Sequence, residues 1–286
     1  MKIKTLIFML LITILQANAM SDKTIKNHMK KYVEKKMKAS VKNIDIISAY
    51  EIPSAAGWHV HFLSITIKIK MGDSYQNAIV PQTVFTRGER ITLKLMKKAK
   101  MKADGTMEKS ENYSKLLKPK VPMEAYNDAH LIAGVKNAPH KILLFSDPFC
   151  PFCRKKFPEI LDVVKKNPKT YGLYYYHFPL TRIHPAADLV TRAMHIFQKK
   201  RDLTNFVALY DLFLEASETD PKEILLSIQA KTRVVFTLDQ LNSPEVERDV
   251  RFDKSMQRRL QVTGTPTIFI DGKWDRSRND YKKYAK

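Results

Sequence analysis

The sequence predicts two domains of different class: a small α+β domain, then a larger α/β domain carrying a helical insertion. Three observations carry this. Apolar residues recur at helical spacing from Asp22 to Ala39 and then alternate with polar ones between Trp58 and Met71. From Lys141 onward, short apolar strands alternate with helical stretches, as in an α/β domain. A lysine-rich polar stretch, residues 97–135, separates the two patterns.

The first 19 residues are set apart. Met1-Lys2-Ile3-Lys4 is basic, Leu6 to Leu15 is apolar, and Ala17-Asn18-Ala19 has the small-residue pattern of a cleavage site. The apolar run is far shorter than the ~20 residues a spanning helix needs. The expectation is a cleavable signal peptide over residues 1–19, export, and a periplasmic location where disulfides persist.

Residues 20–96 form the expected α+β domain. Ile25, Met29, Tyr32, Val33 and Met37 share one helical face, with lysines on the others. Leu63, Ile65, Ile67 and Ile69 then line one face of a strand, opposite Ser64, Thr66, Lys68 and Lys70. Gly72-Asp73-Ser74 predicts a turn, Ala78 to Thr86 a strand, Arg87-Gly88-Glu89 a turn, and Ile91 to Met96 a last strand. Residues 97–135 are expected to be a partly helical linker broken by Pro119 and Pro122, with a short helix from Met123 to Ala133 ending at Gly134. A helix packed on the second domain is the alternative.

Residues 136–286 form the expected catalytic domain. Ile142 to Phe145 is continuously apolar and predicts a central strand. Arg154 to Lys166 predicts a helix kinked at Pro158, and Gly172 to His177 a second strand. Ala186 to Ala230 and Glu245 to Leu260 predict the helical insert. Thr267 to Ile270 returns to strand, and Asp271-Gly272 marks a hairpin turn.

The chain carries 50 Lys and Arg against 29 Asp and Glu, a formal net charge of +21. The basic residues are dispersed along amphipathic faces, without aromatic residues interleaved, so they read as solvated surface and no nucleic-acid partner is expected.

The only two cysteines, Cys150 and Cys153, form one Cys-Pro-Phe-Cys motif. Zinc would need four ligands, and neither a second such pair nor a histidine pair at ligand spacing is present, so no metal is expected. No other cofactor is expected. A strand running into Cys150 with Pro151 opening a helix places the first thiol at a helix N-terminus, where free N–H groups favour a thiolate. The expected chemistry is thiol–disulfide exchange, with Cys150 as nucleophile and Cys153 as resolver. An inert structural disulfide is the bland alternative; closing so short a loop would constrain the unfolded chain little. Pro151, Phe152, Asp147 and His184 are candidates for tuning. For Asp147 a turn-capping role competes, and for His184, before Pro185, a packing role. Val262-Thr263-Gly264-Thr265-Pro266-Thr267 is the candidate substrate-binding loop, with Thr265 before a cis Pro266.

Phe145 to Cys153, together with Thr265-Pro266, resembles the bacterial periplasmic thiol:disulfide interchange proteins of the DsbC/DsbG type, of the thioredoxin-like superfamily. Phe178-Pro179-Leu180 followed by His184-Pro185, with the long helical insert, is similar to DsbA-like oxidases. The buried acid of thioredoxin has its counterpart here at Leu144. The resemblance implies a thioredoxin-like α/β catalytic domain after a cystatin-like α+β dimerisation domain and a helical linker. It implies a homodimeric disulfide isomerase or reductase forming mixed disulfides with exported client proteins, and a membrane redox partner that reduces or reoxidises it. A DsbA-like oxidase and a non-enzymatic periplasmic chaperone are the alternatives.

Overall fold

The structure, a computed structural model, describes residues 20–71 and 74–285. The expected signal peptide and the turn residues Gly72 and Asp73 lie outside the described residues. The chain divides into two compact units between Lys115 and Leu116.

In the first unit α1 (Asp22–Met37) is capped by Ser21, whose hydroxyl accepts the Thr24 N–H, and it stops where Lys38 turns left-handed. Ile25, Met29 and Val33, spaced by four, are buried against Leu63, Ile65 and Ile67, each burial contributing about 1.5–3 kcal/mol. The four strands β1 (Ser40–Glu51), β2 (His59–Met71), β3 (Ser74–Arg87) and β4 (Arg90–Thr92) form an antiparallel meander in chain order. Pro81 is tolerated because β4 pairs only with Phe85 to Arg87, leaving β3 a sheet edge at Pro81. Strand β1 has no counterpart among the sequence expectations. Its register shifts between Val41 and Asn43 and again between Ile46 and Ser48, so its side chains do not keep the alternation that marks a strand.

The second unit holds β5 (Leu131–Gly134), β6 (His140–Ser146), α2 (Pro151–Lys166), β7 (Tyr171–His177), α3 (Ala187–Lys199), α4 (Leu203–Ala208), α5 (Pro221–Thr232), α6 (Leu238–Leu241), α7 (Pro244–Arg259), β8 (Thr267–Ile270) and β9 (Lys273–Asp275). The sheet order is β5-β7-β6-β8-β9, with β6 and β7 parallel and the other pairs antiparallel. Strict alternation divides the sheet's two faces. Ile142, Leu144, Leu173 and Tyr175 enter one core with α2 and the helical insert, and Leu143, Phe145, Tyr174 and Tyr176 enter the other with α7. The thioredoxin-like α/β expectation holds, including the hairpin at Asp271-Gly272, whose glycine takes φ 80°.

The helical linker is corrected. Residues 97–112 are extended, with bridges Met96–Asn112 and Met101–Met107, and reverse at Asp104-Gly105, where glycine adopts φ 78°. The Asp104 carboxylate fixes that turn by accepting the N–H and hydroxyl of Thr106. Only 3₁₀ turns occur at Tyr113–Lys115 and Met123–Ala125. The expected helix from Met123 to Ala133 is instead that turn followed by β5, because the Leu131–Gly134 backbone pairs with β7. Residues 116–135 therefore belong to the second unit.

Gly134 tests the β5 assignment. It has φ 75°, and a Cβ there would stand 1.9 Å from the Tyr171 carbonyl oxygen. Gly134→Ala is expected to destabilise the second unit by more than about 2 kcal/mol, since both backbone strain and a backbone clash oppose it. Urea unfolding of the variant against the parent measures this; an unchanged midpoint contradicts the pairing.

Candidate active site

Strand β6 is buried along its apolar length and delivers the chain into Ser146-Asp147-Pro148-Phe149, after which Cys150 caps α2 with φ −70° and ψ 119°. Pro151 occupies the first helical position, where its missing N–H has no partner to lose. The Cys150 carbonyl accepts the N–H groups of Cys153 and Arg154, each at 2.9 Å, which closes the first turn. This turn leaves the helix's leading N–H groups around the Cys150 sulfur.

Cys150 is only 5% exposed and Cys153 is fully buried. The Cys150 thiol is pulled down to about 5, first by the Cys153 thiol, which donates to its thiolate, and further by the Thr265 side chain and the N–H groups of Cys153 and Phe152; burial opposes them. Cys153 moves the other way: burial pushes its thiol far up, and the proton it donates to Cys150 keeps it there. One sulfur is thus held as thiolate and the other as thiol.

Cys150 and Cys153 are free thiols, and the Thr265–Pro266 loop lies beside Cys150. The Thr265–Pro266 peptide is cis, and the Cys150 Sγ lies 3.5 Å from the Thr265 carbonyl oxygen. Pro151 and Phe152 stand at the helix start; Phe152 is 68% exposed, so its N–H tunes the thiolate while its ring faces solvent. Two neighbouring cations, Arg154 and Lys156, have other partners. Arg154 Nε donates to the Pro148 carbonyl, and Lys156 pairs with Glu159.

Asp147 and His184 come together as a pair. Asp147 is fully buried; its Oδ1 accepts the Phe149 N–H at 2.8 Å, and its Oδ2 accepts the Leu180 N–H at 2.8 Å and His184 Nδ1 at 2.9 Å. The turn-capping role is therefore present, and the same carboxylate also ties the cysteine loop to the 178–185 loop. No sequence spacing signals this, because the partners stand 37 residues apart.

Sequence reasoning missed the groups behind Cys153. Ser146 donates toward its sulfur side, lowering the thiol against the effect of burial. The Tyr210 hydroxyl donates to Ser146 Oγ at 2.5 Å and meets the Tyr175 hydroxyl at 2.6 Å. Leu144, counterpart of the buried acid of thioredoxin, supplies no proton carrier, and these hydroxyls are the polar groups next to the resolving thiol.

Comparison with known proteins places the second unit. Residues 126–286 match the family model described as thioredoxin. The "Probable disulfide bond formation protein D" of Bacillus anthracis is 28% identical over 151 residues, covering 49% of this chain and 68% of that protein. Among solved structures, oxidised BdbD from Bacillus subtilis aligns with TM-score 0.46 at 15% identity, over 58% of this chain and 92% of that one. ScsC of Proteus mirabilis, in a transitional conformation, aligns with TM-score 0.42 at 21% identity, over 56% and 71% respectively.

Two outcomes test the site. Cys150→Ser is expected to abolish exchange with a model disulfide, whereas Cys153→Ala accumulates mixed disulfides, seen as thiol-sensitive adducts on gels. Adducts forming through Cys153 in the Cys150 variant contradict the assignment. Asp147→Ala strands two backbone N–H groups, and is expected to cost about 2–4 kcal/mol in thermal or urea unfolding. A loss below about 0.5 kcal/mol contradicts the tether.

Proposed function

Because this chain belongs to the thioredoxin family, we propose that it is a Dsb-type thiol–disulfide oxidoreductase that passes disulfides to exported client proteins. The observation that carries the direction is the Cys150 thiolate, held near 5. A stabilised thiolate stabilises the reduced pair relative to the disulfide, so the disulfide is readily given up. The relatives named for disulfide bond formation support the same direction.

The exchange balances as follows. A client thiolate attacks the Cys150 Sγ of the oxidised pair, forming a mixed disulfide and expelling the Cys153 sulfur, which takes a proton. A second client thiolate then attacks the client sulfur of that mixed disulfide and releases Cys150 as thiolate. Two electrons pass from the client dithiol to the Cys150–Cys153 pair, and the client leaves with its disulfide. The Thr265 backbone, beside Cys150, offers an edge along which an extended client segment pairs. Reoxidation falls to a membrane redox partner. No helix among the described residues is long and apolar enough to cross a membrane, and the N-terminal sequence supports export to the periplasm.

A second reading, disulfide isomerase, is favoured by the first unit. Its 12-residue strand β1 forms one edge of the sheet. Pairing two copies edge to edge would make the dimerisation domain that the resemblance to the DsbC/DsbG type implies. In that reading the protein works reduced and as a homodimer.

The redox state of the cysteine pair in the producing cell separates the readings. Alkylation of acid-quenched cells is expected to find Cys150 and Cys153 as a disulfide, and the oxidised protein is expected to oxidise a reduced, unfolded client stoichiometrically. A reduced pair in the cell, with a dimer in sedimentation, supports the isomerase and overturns the oxidase.

A further inference from the structure

Away from the cysteines, the second unit buries three histidines around one carboxylate: His130, His177 on β7, His195 on α3 and Asp253 on α7. The exchange chemistry uses none of them. Asp253 is 1% exposed; its Oδ1 takes the His130 Nε2 at 2.7 Å and its Oδ2 takes the His177 N–H at 2.7 Å. Burying an ionised carboxylate is costly unless it is paired, and two hydrogen bonds hold this one in a single orientation.

The hydrogen bonds also decide which nitrogen of His177 carries the proton. Gln198 donates its amide N–H groups to the carbonyls of Ala129 and Tyr175, which orients its Oε1 toward His177 Nε2 at 3.0 Å. His177 Nε2 is therefore the donor, and Nδ1 carries a bare lone pair. That Nδ1 is buried and has no hydrogen-bond partner. The His195 ring lies 4.0 Å from the His177 ring, and His195 Nε2 stands 3.7 Å from Asp253 Oδ2, too long for a hydrogen bond. One donor atom from each of His177, His195 and Asp253 lies within 4.8 Å of the others.

We infer that His177, His195 and Asp253 form a binding site for a divalent transition-metal ion, zinc by the chemistry of the donors. Two imidazoles and one carboxylate are a recurrent zinc set, and metal–ligand lengths of about 2.0–2.1 Å place tetrahedral donors ~3.3 Å apart. The His195–Asp253 separation is already close to that edge, and a donor atom of His177 lies within 4.8 Å of both. Both rings are buried, and the neutral imidazole, with a bare nitrogen lone pair, is the form that coordinates. His130 acts behind the ligands, fixing the carboxylate. A cavity of about 100 Å³ borders His195, one of the three ligands, together with His130 and Asp249. Two cations at its wall are engaged elsewhere: Lys199 with Glu245, and Arg201 with the Asp128 carbonyl. A metal here would staple the central strand β7 to α3 and α7, joining the helical insert to the sheet.

The test uses the full chain with Cys150→Ser and Cys153→Ser, which removes the thiols as competing ligands. Equilibrium dialysis is expected to find one equivalent of Zn²⁺ retained, and Co²⁺ to give the visible bands of a low-coordinate site. His195→Gln is expected to abolish both, and His130→Gln to weaken affinity by roughly tenfold to a hundredfold. Should His195→Gln fail to fold, His177→Gln gives the same reading. Should both fail, imidazole nuclear magnetic resonance of the double-serine chain decides, by whether Zn²⁺ shifts His177 and His195. Absence of retained metal in the double-serine chain, retention by the folded histidine variants, or unshifted imidazoles overturns the site.

Discussion

The catalytic unit depends on where one strand ends. β6 is buried through Phe145 on both faces, so its last residues have no freedom to slide, and Cys150 falls at the first turn of α2. Everything chemical follows from that position. The sulfur sits beside the Cys153 thiol, the Thr265 side chain and the helix N–H groups, and their summed effect outweighs the burial that alone would keep it protonated. Asp147 holds the intervening loop to the 178–185 loop, so the helix start cannot drift from the sheet.

The two cysteines illustrate how one environment separates like groups. Both are buried, and desolvation raises both. Only Cys150 receives hydrogen bonds enough to reverse the effect, because it stands at the open end of the helix while Cys153 lies a turn inside, facing Ser146 and the two tyrosine hydroxyls behind it. The asymmetry comes first from the Cys153 thiol donating to Cys150, then from Thr265 and the N–H groups at the helix start. Phe152, which distinguishes the motif, contributes through its backbone and exposes its ring.

Much of this was legible in the sequence where a signal is local. The apolar run Ile142 to Phe145, the Cys-Pro-Phe-Cys motif, the Thr265-Pro266 pair and the Asp271-Gly272 turn all sit as their neighbours imply. What escaped was set by tertiary pairing. β1 lost its period to two register shifts, and Leu131 to Gly134 is strand only because β7 pairs with it. Asp104-Gly105 carried the same turn signal as Asp271-Gly272, but the surrounding lysines obscured the extended arms. Asp147 and His184 were each visible as candidates, whereas their contact, like that of His177, His195 and Asp253, joins residues far apart in the chain.

The central claim is that hydrogen bonds from the Cys153 thiol, then from Thr265 and the helix start, hold Cys150 as a thiolate. Ultraviolet thiolate absorbance of the reduced protein, followed against pH, tests it most directly. The account requires a single low transition with a midpoint near 5 that disappears in Cys150→Ser, leaving Cys153 protonated through the neutral range. The sign carries through to stability. With its folded value depressed, Cys150 contributes fully above the unfolded thiol's value of about 8.5 and loses that contribution as pH falls toward 5. A midpoint at or above about 8.5, the value of a free thiol, would contradict the account.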